Sequence, residues 1–131
     1  MERVFLDANI LFSAAYRDGA GLQRLWAIAD VRLLSSTYAV EEARRNLESD
    51  EQRARLDSLT ATLELVAPLP ATSLPPGVVL PEKDSPILLA AIAGRATHLL
   101  TGDVRHFGPL FDQSIGGVLV QLPAVYLAGK P

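Results

Sequence analysis

Asp7 closes the short apolar run Val4-Phe5-Leu6, and Asp103 closes a second run, His98-Leu99-Leu100-Thr101, after a single glycine. Carboxylates at strand ends in a parallel sheet emerge at its C-terminal edge, where open α/β folds place their ligands. Asp84 opens a helical pattern that leads back to the second of these strands, so it starts near the edge where an earlier strand ended. Glu42 lies about one and a half turns into the helical stretch after the second strand, and reaches the same crevice if that helix packs there. Carboxylates crowded within a few ångströms repel one another and take up protons unless a cation neutralises them. Hard, oxygen-rich donor sets of this kind suit Mg²⁺ or Mn²⁺, which keep waters and share substrate phosphates. An ion so held lowers the pKa of a bound water for attack at phosphorus, and a second one stabilises the leaving oxygen.

Each residue also has a plainer explanation when taken singly. An aspartate at a strand end is most often a turn or cap residue, and Asp84 beside Ser85 and Pro86 is a sound helix start. Glu41 and Glu42 sit in an early helical turn, where negative charge is favoured in any case. Asn9 serves as a cap, His98 as a packing residue, Trp26 as core, and Arg44 and Arg45 as a solvated helix face. Competing chemistries lack their motifs: neither histidine sits in a metal spacing, and there is no Gly-rich phosphate loop or Gly-x-Ser-x-Gly turn.

The elements that must position these residues follow in order. Val4–Leu6 is uniformly apolar and reads as a strand buried on both faces. Asn9 is placed to cap a helix from Ile10 to Tyr16; after the turn Asp18-Gly19-Ala20-Gly21, Leu22, Leu25, Trp26 and Ala29 mark one face of a second. Val31–Leu34 is the next strand, and Ser36 or Thr37 caps the helix that carries Glu42. A break near Ser49-Asp50 precedes a charged helix to Leu63, and Leu65–Ala67 is a third strand. The stretch from Pro68 to Pro81 holds five of the nine prolines and reads as a surface connection, with Val78–Leu80 as a short extended piece. Asp84 or Ser85 caps a helix with Pro86 in its first turn, apolar on nearly every face and therefore interior. His98–Thr101 is the fourth strand, 104–117 a loop, Val118–Val120 the last strand, and Leu122–Leu127 a short closing helix. Strands alternating with helices predict an α/β fold with a parallel sheet.

The 131 residues fit one domain, 1–131, of ordinary composition, 49% hydrophobic and 21% charged. The absence of cysteine excludes disulfides and thiolate zinc sites and suits a reducing cytoplasm. No apolar run approaches the ~20 residues that span a bilayer, and Asp7 and Asn9 interrupt any signal-peptide pattern, so a soluble cytoplasmic protein with no membrane partner is expected. A formal net charge of −3 runs against the basic balance usual in general nucleic-acid binders. An acidic enzyme acts on a nucleic acid only where metal neutralises its site and basic residues gather locally.

The order of the pieces adds a resemblance that covers nearly the whole chain, from Val4 to Leu127. Phe5-Leu6-Asp7-Ala8-Asn9, then Glu42 on a helix after a Ser/Thr turn, then Lys83-Asp84-Ser85-Pro86-Ile87-Leu88, then Leu100-Thr101-Gly102-Asp103 with His106-Phe107, resembles the PIN-domain family. The similarity is greatest to its VapC-like branch, toxins of type II toxin–antitoxin modules. The resemblance implies a three-layer α/β/α fold with a central parallel sheet of about five strands, and a Mg²⁺- or Mn²⁺-dependent endoribonuclease. By the family pattern Asp7, Glu42, Asp84 and Asp103 form the catalytic, metal-binding quartet, with Asn9 and Thr101 as the polar neighbours that orient Asp7 and Asp103. Glu41 is the alternative glutamate; Glu42 is preferred because Glu-Ala-Arg-Arg-Asn-Leu matches the family's continuation of that helix. Arg44, Arg45, Arg105 and His106 are candidate RNA phosphate contacts, and a homodimer and an antitoxin protein are the expected partners. Two rivals stand beside this reading. One is a PIN-fold RNA-binding or scaffold module without turnover. The other is a phosphoryl-transfer α/β protein using Asp7, whose usual second aspartate is here Asn9.

Overall fold

β1 (Glu2–Leu6) runs through the middle of a six-stranded sheet, and Val4, Phe5 and Leu6 are wholly buried in it. A computed structural model describes residues 1–67, 69 and 73–131. β1 pairs in parallel with β2 (Val31–Ser36) on one side and β4 (His98–Leu100) on the other, so that Phe5 lies opposite both Leu34 and Leu99. β3 (Glu64–Val66) extends the sheet beyond β2, and β6 (Val118–Gln121) extends it beyond β4. With β5 (Ser114–Ile115) at the edge, the full order is β3-β2-β1-β4-β6-β5. The chain builds outward from β1 to β3 and then crosses back to lay β4 on its other side. The gap between the C-terminal ends of β1 and β4 is therefore the point where strand order reverses, the place such sheets leave open for ligands.

Five strands are parallel, as the alternating pattern predicts; the sixth is an addition. β5 (Ser114–Ile115) runs antiparallel to β6 inside a stretch read from sequence as loop. Gly116 and Gly117, at φ 58° and 86°, supply the two left-handed positions of the tight turn that joins them. The same stretch also holds a one-turn helix α5 (Val104–Phe107) and a 3-10 turn at Gly108–Leu110.

Helices flank the sheet and complete a three-layer α/β/α arrangement. α1 (Ala8–Ala15), α2 (Thr37–Asn46) and α3 (Asp50–Thr60) pack on one another. α4 (Ser85–Ala93) packs against β2, β3 and β4, burying Ile87, Leu88, Ala90 and Ala91, as its all-apolar sequence requires. α6 (Pro123–Ala128) closes the chain with proline in its first turn. Ser36 caps α2 by accepting from the Ala39 amide, and Ser49 and Gln52 form a reciprocal capping box at α3, which accounts for the break between the two helices.

Some local expectations are corrected. Asp7, not Asn9, caps α1, which starts two residues earlier than its apolar spacing indicated. The segment marked by Leu22, Leu25 and Trp26 is a 3-10 helix (Gly21–Ala27) that leaves Ala29 outside, and of these residues only Leu25 is fully buried. Val78–Leu80 forms no strand: the Val78 amide closes a turn onto the Pro75 carbonyl, and Leu80 tucks into the core. Pro68 and Pro70 of the proline-rich connection lie outside the described residues. No helix among the described residues is long and apolar enough to cross a membrane.

Candidate metal centre

Asp7 is 4% exposed, yet its carboxylate is fully engaged. Oδ1 accepts from the Ala8 amide at 2.6 Å, which is the cap that starts α1. Oδ2 accepts from the Thr101 hydroxyl at 2.8 Å and from Asn9 Nδ2 at 3.1 Å. Thr101 in turn accepts from the Asp103 amide at 3.1 Å, and Asn9 Oδ1 accepts from the Gly102 amide at 2.8 Å. Asn9 and Thr101 thus bolt the β1–α1 junction to the turn after β4, across 92 to 94 residues of sequence. The Asn9 amide group holds both junctions at once.

The turn that Thr101 and Gly102 shape hands Asp103 to the same edge. Asp103 caps α5 through Oδ1, which accepts from the His106 amide at 3.0 Å, while Oδ2 lies 2.9 Å from His106 Nδ1. Asp84 arrives from the other direction. Its amide bonds to the Pro81 carbonyl and its own carbonyl receives the Ile87 amide, so it stands at the head of α4, but its side chain makes no capping bond. Asp84 Oδ2 is buried 3.1 Å from the same imidazole nitrogen and has no hydrogen bond of its own. One Nδ1–H satisfies one carboxylate oxygen, and here it serves Asp103. The potential ligand atoms of Asp84, Asp103 and His106 all fall within 4.8 Å of one another.

The carboxylates face one cleft of about 470 Å³. Asp7, Glu42, Asp84 and Asp103 all contribute to its wall, together with Asn9 and Lys83. Glu41 is exposed and does not line it, as follows from the ~100° between adjacent helical residues. Arg44 is ion-paired to Asp57 of α3, and neither it nor Arg45 or Arg105 lines the cleft. One contributor, Lys83, had no role in the sequence reading. Lys83 places an ammonium at the rim, and the signal for it was its position directly before Asp84. His106, a candidate phosphate contact, stands between two carboxylates outside the cleft lining.

The electrostatics reflect crowding. Burial pushes the Asp7 carboxyl up from 3.8 to about 6, against the Thr101 and Ala8 hydrogen bonds and with help from the negative charges of Glu42 and Asp84. Asp84 is also raised, by burial first and then by Asp103. Burial acts on Asp103 too, but the His106 amide and imidazole outweigh it and hold that carboxyl below the ordinary value. A buried Asp84 oxygen without a donor, in a cleft where both Asp84 and Asp7 resist ionisation, is the environment that a divalent cation satisfies. The donor set is mostly carboxylate oxygen and so fits Mg²⁺ or Mn²⁺.

Fold and site together define an α/β domain with an acidic centre at its topological switch point. The chain belongs to the PIN domain family, whose model matches residues 3–105. Among solved structures it is similar to VapBC2 from Rickettsia felis, crystallised bound to a DNA fragment from its promoter. The TM-score is 0.61 at 15% identity, over 92% of this chain and 98% of that one, a likeness of fold. No curated protein sequence matches the chain.

Proposed function

We propose that this protein is a Mg²⁺- or Mn²⁺-dependent endoribonuclease whose metal ligands are drawn from Asp7, Glu42, Asp84 and Asp103. The observation that carries the reading is the convergence of those four carboxylates on one cleft, with an oxygen of Asp84 left without a donor. Membership of the PIN domain family supports a nuclease in general. When bound, the metal would supply Lewis-acid activation of water and charge neutralisation at the scissile phosphate.

The chain's own residues do the remaining work. Asn9 and Thr101 fix the orientation of Asp7, so that the carboxylate meets its ligand without reorganising. His106 holds Asp103 in place through two hydrogen bonds from one residue. Lys83 offers a positive charge at the cleft wall for a phosphate oxygen. In-line attack by water would leave a 5′-phosphate and a 3′-hydroxyl. The rival role of phosphoryl acceptor lacks its usual second aspartate two residues after Asp7, where this chain has Asn9.

The fold shared with the Rickettsia VapBC2 structure extends the proposal to a toxin of a type II toxin–antitoxin module, acting as a homodimer and masked by an antitoxin protein. The test is cleavage of RNA by the purified protein with Mn²⁺ or Mg²⁺, lost in EDTA and in Asp7→Asn and Asp84→Asn. Cleavage that persists without metal, or in those variants, sinks the proposal.

A further inference from the structure

We infer that the groove between α1, the Gly21–Ala27 helix and α6 is the track on which a single-stranded RNA segment next to the scissile bond lies; this rests on the ribonuclease reading above. The groove encloses about 780 Å³ and runs into the carboxylate cleft, since Ser13, Leu22 and Pro123 line both. No acidic side chain lines it, in contrast to the cleft it joins. Its charged contributors are Arg17 and Arg24, whose side chains make no hydrogen bond or ion pair among the described residues. Arg3, Arg32, Arg44, Arg53 and Lys130 are each paired to a carboxylate, whereas Arg45, Arg95 and Arg105, like Arg17 and Arg24, have no such partner among the described residues, and of these five only Arg17 and Arg24 line the groove. Two unpaired guanidiniums on an otherwise uncharged wall call for an anionic ligand, and the wall continues into the site where a polyanion would be cut.

The aromatic surface decides what kind of polyanion fits. Tyr16 is 48% exposed and leans on Phe12, with ring centroids 5.4 Å apart. Its backbone is pinned: the Tyr16 carbonyl accepts from Gln52 and Arg55 of α3, so the ring sits on a fixed platform. An exposed aromatic on a wall that two arginines also line is a stacking surface for an unpaired base, whereas the stacked bases of a duplex present no such face. α1 spans the distance from Asp7 to Tyr16, about 14 Å at 1.5 Å per residue.

The cleft, not the groove, carries the acidic balance of the whole chain. Of fifteen acidic residues four line the metal cleft beside one lysine, and the eleven left face eleven basic ones. The net charge of −3 is thus concentrated where a metal would offset it, and the track beside it is positive.

The test uses a fluorescein-labelled single-stranded oligoribonucleotide of mixed sequence, its affinity read by anisotropy in EDTA on the full-length protein and on Tyr16→Ala, Tyr16→Phe and Arg17→Gln/Arg24→Gln. Loss of one stacked base weakens binding roughly 5- to 100-fold in Tyr16→Ala, and Tyr16→Phe restores it. The double arginine variant lowers the slope of log affinity against log salt by about 1.4, the value for two phosphate contacts on a single strand. Sedimentation of each variant reports self-association, and circular dichroism reports folding. Unchanged affinity and slope in folded variants of a protein that does cleave RNA overturn the track and leave the nuclease standing. A protein that neither binds nor cleaves RNA overturns the nuclease reading itself. Loss of self-association with RNA binding intact makes the groove a contact between copies of the chain, and equally overturns the inference.

Discussion

Asp7→Asn should make the metal-free protein more stable at neutral pH while removing its activity. The carboxyl titrates at about 6 in the fold against 3.8 when exposed, so folding favours its protonated form. Between those values the folded state holds a proton that the unfolded chain has released, and stability falls as pH rises. The contribution is fully present below 3.8 and is lost once pH passes through 6. The difference of about 2.2 units corresponds to ~3 kcal/mol, and the near-complete burial of the group leaves little solvent screening to reduce it. Between pH 4.5 and 7.5 about 2 kcal/mol of it should disappear from wild type and none from the asparagine variant. Urea denaturation in EDTA at the two pH values measures this as a change in the gap between the proteins. At an m-value of ~2 kcal/mol/M the midpoints should separate by about 1 M more at the higher pH. Using the change in the gap removes the fixed cost of facing an amide NH₂ toward Asn9. Saturating Mn²⁺ should reverse the order, because a bound ligand stabilises only the protein that holds it, by ~2.7 kcal/mol at a hundredfold excess over Kd. A gap independent of pH would refute the argument that burial crowds this carboxylate.

Three further outcomes follow from the same geometry. Thr101→Val removes the 2.8 Å hydrogen bond that opposes burial of Asp7, and should weaken Mn²⁺ binding roughly 10- to 100-fold by calorimetry; unchanged affinity would contradict an orienting role. Asn9→Asp keeps the acceptor for the Gly102 amide but exchanges a donor to Asp7 for a negative charge. Its metal-free stability should drop by ~1–3 kcal/mol at pH 8 and recover with Mn²⁺, which thermal melts with and without the ion would show. Gly94→Ala places a methyl group 2.8 Å from Val66 Cγ2 and 3.3 Å from Leu34 Cδ2, where the end of α4 meets the sheet. It should cost ~1–3 kcal/mol in urea denaturation at any pH, and a neutral result would mean that β2 and β3 yield more than their packing implies.

Much of this architecture is local and was legible in the residues. The buried run Val4–Leu6, the serine at the head of α2, the break at Ser49, Pro86 and Pro123 in first turns, and the apolar face-to-face composition of α4 are each settled by neighbours a few positions away. Gly116-Gly117 was a hairpin signal in plain view, passed over because β5 is only two residues long and too short to show a period. The 3-10 geometry of Gly21–Ala27 was not legible, since apolar spacing of three to four residues suits either helix type.

The candidate site divides along the same line. The sequence by itself determined that carboxylates stand at 7, 84 and 103 at the ends of elements, and parallel topology then required them to meet at one edge of the sheet. Helical periodicity alone said that only one of Glu41 and Glu42 could join them. Which one did was decided by the rotation of α2 as it packs on α1, and that placed Glu42 on the cleft. The choice of Asp57 as partner for Arg44, the hold of Asn9 on the Gly102 amide and the insertion of His106 between Asp84 and Asp103 are likewise properties of the tertiary structure. Contacts between residues up to 94 positions apart depend on how sheet and helices close together, and no spacing within a single element encodes that distance.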